Sequence, residues 1–325
     1  MHLKFLEPYI QLIESGLGDL DLPAKPATLY EPQRYTLSGK AKRIRPVLVL
    51  IGCGLTGNDP RKAIPAALAV ELLHNFTLIH DDIMDDADSR RGRPSVHVKW
   101  DLATAILSGD SMFVQAYRQL HRLDPSADFR KIHHLFTEGI NQVCEGQALD
   151  MEFETRSDVT ADEYLGMIAG KTGALISASL QMGAAVGGAG EEQLNQLSLA
   201  GESLGLAFQI QDDLLDVIAN PEKFGKKQGG DICEGKKTIL MLTTLERCKA
   251  DERQRIMAAI AGKPLSDELV EWITLLYHQY GAIESAREMM GSYYAKAEKA
   301  VKTFDDSTYK EDLTKLIHFL KNREY

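Results

Sequence analysis

Apolar residues recur three and four positions apart along almost the whole chain, and alternating apolar and polar runs of the kind a half-buried strand needs are nearly missing. That period predicts an all-α protein. Helices are expected over 2–16, 42–55, 61–87, 102–122, 127–154, 161–187, 191–219, 236–249, 252–261, 266–291 and 308–322. Turn chemistry separates them at Asn58-Asp59-Pro60, Arg91-Gly92-Arg93-Pro94, Asp124-Pro125-Ser126, Asn220-Pro221 and 224–230. No Pro/Ser-rich linker, shift in composition or long repeat divides the series, so residues 1–325 are expected to form one large helical domain.

Composition narrows the function classes. With 44% hydrophobic and 26% charged residues the chain has the make-up of a globular protein rather than a disordered one. Its 37 Lys and Arg against 47 Asp and Glu leave a net charge of −10, which disfavours nucleic acid or an anionic membrane as a partner. Any phosphate chemistry must come from local basic clusters. The four cysteines, Cys53, Cys144, Cys233 and Cys248, contain no C-x-x-C pair and read as reduced thiols. The longest weakly polar stretch, 173–190, is built from Gly, Ala and Ser and broken by Gln181, which suits close helix packing better than a membrane span. A glutamate and a proline at positions 7 and 8 interrupt any apolar signal segment. The expectation is a soluble, cytoplasmic protein with no integral membrane segment.

One short motif occurs twice: Asp81-Asp82-Ile83-Met84-Asp85 and Asp212-Asp213-Leu214-Leu215-Asp216, both D-D-x-x-D. On a helix, spacings of three and four gather such carboxylates on one side. Two like charges ~4 Å apart at an effective dielectric of ~20 repel by about 4 kcal/mol, so the clusters call for cations. Oxygen-only donors suit Mg²⁺, which keeps waters and shares its shell with substrate phosphates. A single cluster of this kind is usually a solvated helix face, but two copies inside otherwise apolar helices are not explained that way. His74, Asp81 and Asp85 form one stripe, and Gln209, Asp212, Asp213 and Asp216 another, the expected walls of a central cleft.

Short basic runs complement the acids: Lys40-Ala41-Lys42-Arg43-Ile44-Arg45, Arg90-Arg91-Gly92-Arg93, Lys171-Thr172, Lys226-Lys227 and Lys236-Lys237. Arginine offers a planar fork to phosphate oxygens and lysine a compact charge. A P-loop is excluded twice, because Leu165 stands where Gly170-Lys171-Thr172 would need glycine, and Lys237 stands where Gly230 to Lys236 would need Ser or Thr. A metal-dependent phosphohydrolase reading of His80-Asp81 leaves the second acidic helix unexplained.

Taken in order, the motifs resemble the all-trans polyprenyl synthetases, or (E)-prenyl diphosphate synthases, over roughly residues 38–240. Asp81-Asp82-x-x-Asp85 with Arg90-Arg91-Gly92 is similar to the family's first aspartate-rich motif, and Gln209-x-x-Asp212-Asp213-x-x-Asp216 to its second. Lys171-Thr172, Gly146-Gln147-Ala148-Leu149-Asp150 and Gly235-Lys236-Lys237-Thr238 fall where that family has them. The resemblance implies an all-α bundle of the isoprenoid synthase type, working as a homodimer. It implies that Lys42, Arg45, His74 and Arg91 bind isopentenyl diphosphate. Asp81, Asp85 and Asp212 would hold three Mg²⁺ on an allylic diphosphate (dimethylallyl, geranyl or farnesyl), with Asp82, Asp213 and Asp216 close by. Arg90, Lys171, Lys226 and Lys236 would grip that diphosphate, while Thr172 and Gln209 line the reacting carbons. The family's usual Gly-Gly-Lys-Arg is here Lys40-Ala41-Lys42-Arg43, so Lys40 competes with Lys42 for its role, as Lys227 does with Lys226.

Product length is read from the residue five before the first aspartate, Phe76, in that family. A bulky ring there, and no insertion inside the first motif, resemble makers of the C20 product geranylgeranyl diphosphate, with the C15 farnesyl diphosphate as the alternative. By ideal helix geometry it is Thr77 that lies directly below Asp81. Two rivals remain at this stage. A class I terpene cyclase would carry an Asn/Ser/Glu triad in place of the second acidic motif, and a non-catalytic regulatory subunit would have lost a motif that this chain keeps.

Overall fold

The computed structural model describes residues 3–219 and 228–323 and is built from α-helices, with a two-stranded hairpin as the only β structure among the described residues. Its contacts group into two compact units, each assembled from separated stretches of chain: 1–137, 178–195 and 304–313 in the first, 138–177, 196–303 and 314–325 in the second. Four of the five boundaries fall inside helices.

The first unit contains α1 (Glu7–Gly18), α2 (Ala27–Leu37), α3 (Ile44–Leu55), α4 (Ile64–Met84), a short α5 (Val96–Lys99), α6 (Leu102–Leu120) and the start of α7 (Phe129–Thr155). Helix α4 packs on α3 and α6, burying Leu68, Val70, Leu72 and Leu73 with Val47, Leu48, Leu50 and Ile51 of α3. Each such side chain contributes about 1.5–3 kcal/mol when fully buried. The segment Pro60–Met84 is long and apolar enough to cross a membrane, yet it is a core helix, mostly buried. The small-residue stretch does pack closely: a Cβ on Gly183 would lie 1.8 Å from the Val49 carbonyl oxygen.

Helix α2 is absent from the sequence reading because Pro32 sits inside it and its apolar positions are few. Packing against α6 and a hydrogen bond from the buried Gln33 amide to the Leu29 carbonyl, 3.0 Å, maintain it. Helix α4 ends at Met84 rather than at 87, with Asp85 at its C-cap and Asp86 in the left-handed region at φ 48°, a conformation aspartate tolerates. The chain then turns through β1 (Ser89–Arg90) and β2 (Arg93–Pro94). Arg91 and Gly92, at φ 55° and 74°, form the two-residue tip, whose double positive φ matches the twist of a tight hairpin.

The second unit holds the rest of α7, α8 (Ala161–Ile168), the first turn of α9 (Ala174–Val186), most of α10 (Glu191–Ile218), α11 (Gly230–Cys233), α12 (Ile239–Arg247), α13 (Ala250–Ala261), α14 (Asp267–Gln279), α15 (Ala282–Val301) and the end of α16 (Thr308–Lys321). Ile210, Leu214, Ile239, Leu240, Ile273 and Tyr277 are among its core. Three expected helices differ here. The helix expected over 161–187 is interrupted by a π-helical turn at Ala169–Gly173. That expected over 266–291 splits at Gly281, φ 66°, and continues to Val301. The one expected from 236 begins at Ile239.

Candidate active site

In the first unit, Arg43 carries the basic run into α3. It holds a left-handed φ of 50° at the helix N-cap and is buried. Its guanidinium is ion-paired to Glu71 and, at 2.7 Å, to Glu14, and donates to the Leu37 carbonyl at 2.6 Å. The Asn75 amide donates to the same Glu71 carboxylate at 2.9 Å. Arg43 is therefore committed to structure, while Lys40 and Lys42 are exposed.

Two residues on, Arg45 reaches α4 and places Nη1 3.2 Å from Nε2 of His74. Arginine can only donate, so Nε2 accepts and the imidazole proton sits on Nδ1. Burial, then the charges of Arg45, Arg91 and Arg90, hold His74 well below the usual imidazole range, so it is neutral at neutral pH. Burial lowers Arg45 to about 10 and leaves its Nε without a partner. Arg45, His74 and Arg91 thus form a basic cluster with an unspent donor. Beside it, Arg90 places Nε 2.6 Å from Asp82 and Nη2 3.2 Å from Asp81. Asp82 is buried; Asp85 is exposed. The Phe76 ring lies 4.6 Å from His80 and 5.3 Å from Phe113 of α6, which in turn meets Tyr117 at 5.2 Å. The Thr77 hydroxyl turns back onto the His74 carbonyl at 2.8 Å, so Phe76, not Thr77, presents its ring to α6.

In the second unit the π turn brings out Lys171 and Thr172. It is wedged by close backbone contact: a Cβ on Gly146 would meet the Lys171 amide nitrogen at 2.2 Å, and one on Gly205 would meet Gly173 Cα at 2.3 Å. Such turns recur at functional sites because they rotate a side chain out of the α register. Lys171 Nζ contacts Asp150 at 2.5 Å, and Thr172 Oγ1 donates to Gln209 Oε1 at 3.3 Å. Along α10, Asp213 is buried, its oxygens taken by Tyr164 Oη at 2.5 Å, the Ile239 amide at 3.4 Å and Gln209 Nε2 at 3.5 Å. Burial pushes its carboxyl up to about 7. Asp216 accepts from the Asp231 amide at 3.1 Å and is pushed by burial up to about 6. Lys236 pairs with Glu234 at 2.9 Å and Asp231 at 3.6 Å. Lys237 is spent on the carbonyls of Phe153 and Glu154, at 2.6 and 3.2 Å. Lys226 and Lys227 lie outside the described residues.

A family model for polyprenyl synthetase matches residues 26–276. The chain belongs to this family. It is a prenyltransferase with the family's all-α fold. It is 36% identical to the short chain isoprenyl diphosphate synthase of Methanothermobacter thermautotrophicus, over 99% of both chains, and 39% identical to the geranylgeranyl diphosphate synthase of Sulfolobus acidocaldarius, over 91% of both. The crystal structure of geranylgeranyl pyrophosphate synthetase from Pyrococcus horikoshii superposes with a TM-score of 0.92 at 39% identity, covering 99% of this chain and 98% of that one.

The carboxylates expected to hold a divalent ion differ in exposure and in their protein partners. Asp81, Asp85 and Asp212 keep part of their surface in contact with solvent, and guanidinium groups already sit on Asp81 and Asp212. Asp82 and Asp213 are more deeply placed, 4% and 3% exposed, with Arg90 Nε donating to Asp82 Oδ1 and Tyr164 Oη to Asp213 Oδ2. Among the described residues no three His, Cys, Asp or Glu side chains are gathered so as to hold a metal ion. Sequence reasoning missed Arg323, whose guanidinium closes on Asp212 and lies 4.6 Å over the Phe208 ring. It also missed Tyr164 and Phe113, and it grouped Arg43 with the phosphate-facing basic run, although Arg43 is spent on Glu14, Glu71 and the Leu37 carbonyl.

Proposed function

We propose that this prenyltransferase condenses isopentenyl diphosphate with an allylic diphosphate and releases geranylgeranyl diphosphate. The observation that carries the chemistry is the cluster of Arg45, neutral His74 and Arg91, cationic and holding an unpartnered buried donor, beside carboxylates that take cations. Arg45, Arg91 and an exposed lysine, Lys42 or Lys40, would bind the diphosphate of isopentenyl diphosphate, and His74 would accept from Arg45 and orient it. Lys171 and Lys236 would turn from Asp150 and Glu234 to the allylic diphosphate, a better match for a compact cation than a lone carboxylate.

Asp81, Asp85 and Asp212 would hold Mg²⁺, three ions on the family pattern, which when bound supply Lewis-acid stabilisation of the departing diphosphate. The allylic C–O bond breaks and diphosphate leaves, the isopentenyl double bond forms the new C–C bond, and the resulting cation gives a C–H proton to the departed diphosphate as the new double bond forms. Thr172 and Gln209, 3.3 Å apart, would turn their oxygens to the charge that develops on carbon. The C20 assignment rests on Phe76, held against Phe113 below the first acidic motif, and on relatives named as geranylgeranyl diphosphate synthases. We include a homodimer in the reading, because α6 leaves Leu102, Ile106, Leu107 and Val114 exposed, an apolar surface a second copy would cover. A cytoplasmic location agrees with free thiols at Cys53, Cys144, Cys233 and Cys248.

The test is incubation with Mg²⁺, isopentenyl diphosphate and each of the three allylic primers, followed by chromatography. A C20 diphosphate is the expected product. A C15 product would make it a farnesyl diphosphate synthase, a hydrocarbon a cyclase, and no turnover a regulatory subunit.

A further inference from the structure

The second aspartate of the second motif points away from ligand duty and toward a tyrosine that no motif contains. Tyr164 stands on α8 with its ring in the core beside Phe153, Met167, Ile168 and Leu206. Its hydroxyl is therefore a fixed point, and it donates to Asp213 Oδ2 at 2.5 Å. The Ile239 amide supports the same oxygen at 3.4 Å. The other oxygen, Oδ1, faces Gln209 Nε2 at 3.5 Å, one helical turn back on α10. In its ionised form Asp213 accepts only, and so selects the NH₂ end of the Gln209 amide and leaves Oε1 toward Thr172, whose hydroxyl is 3.3 Å away. The contacts on either side of the Gln209 amide, 3.3 and 3.5 Å, are longer than the one from Tyr164.

We propose that Tyr164 is a positioning residue for prenyl transfer: through Asp213 it selects which end of the Gln209 amide faces Thr172 and the reacting carbons. The inference rests on the prenyl-transfer reading. An amide held with its oxygen forward offers lone pairs to a carbocation; turned over, it would offer two N–H groups and raise the barrier. Neither Tyr164 nor Asp213 touches phosphate in this scheme, so their loss shows in kcat and not in substrate binding.

The experiment compares Tyr164→Phe, Asp213→Asn and the double variant with wild type in steady-state kinetics, and follows Mn²⁺ binding by EPR. Each single variant is expected to lose roughly tenfold in kcat, the size of one hydrogen bond to a charged group, with both KM values within about twofold. The double variant is expected to be no worse than either single one, since both break one chain. Mn²⁺ binding is expected to stay at the wild-type level. A kcat within twofold of wild type for Tyr164→Phe, or multiplying losses in the double variant, overturns the proposal. So does a weakened Mn²⁺ site in Asp213→Asn, which would return Asp213 to the metal. If Tyr164→Phe does not fold, Asp213→Asn decides by the same criteria. A wild-type protein that condenses no primer defeats the prenyl-transfer reading itself, a result separate from all of these.

Discussion

The guanidinium of Arg323 closes on the carboxylate of Asp212, 111 residues earlier in the chain. The tail that delivers it is held: Gln211 Nε2 donates to the carbonyls of Lys321 and Arg323 at 3.3 and 3.1 Å, and Tyr294 Oη donates to Gln211 Oε1 at 2.9 Å. The C-terminal helices, which offer little chemistry in sequence, thus bring a cation to a carboxylate assigned to Mg²⁺.

If that guanidinium and a divalent ion compete for Asp212, Arg323→Ala tightens metal binding. The pair is partly exposed, so the gain is modest, about threefold in the Mn²⁺ dissociation constant by calorimetry. Unchanged binding would show that the two do not compete.

Phe76 is expected to limit chain growth because its ring on α4 lies 5.3 Å from that of Phe113 on α6. Phe76→Ala should shift products beyond C20 on reversed-phase chromatography. An unaltered product distribution would remove Phe76 as the stop.

His74 makes the protein acid-sensitive. Its ordinary value is 6.5, and burial beside Arg45 and Arg91 depresses it in the folded state. As pH falls below about 6.5, the unfolded chain takes up a proton there that the folded chain refuses, so stability present above that pH is progressively lost. His74→Gln should lose less melting temperature than wild type between about pH 7 and about pH 5. Equal losses would place the acid sensitivity elsewhere.

Gly146 sets the π turn that carries Lys171. Gly146→Ala drives a methyl into the Lys171 amide, a backbone contact that cannot swing aside. A loss of about 1–3 kcal/mol in chemical denaturation is expected, accompanied by reduced kcat. Unchanged stability would mean that α7 can move back without cost.

The apolar surface of α6 tests the dimer. Ile106→Asp puts a charge at its centre and should convert a dimer to monomer in sedimentation, because an unpaired carboxylate is costly to bury. A protein that sediments as a monomer before substitution would refute the assembly.

Much of this molecule is written locally. Helical period, turn residues and the two D-D-x-x-D runs depend on neighbours within a few positions, so the all-α class, most helix positions and the candidate acidic and basic residues are readable from the chain alone. What only the tertiary structure decided are relations between distant residues. Pro32 survives inside α2 because α6 packs on it, and the helix through 169–173 loosens into a π turn because Gly146 and Gly205 bring backbones close. Of two identical acidic motifs, Asp82 and Asp213 are withdrawn into the protein while Asp81, Asp85 and Asp212 stay reachable. Arg43, Tyr164 and Arg323 acquire their partners only on folding. Residue type and spacing specify what a side chain can do; burial and the donors that arrive from elsewhere determine which of those things it does.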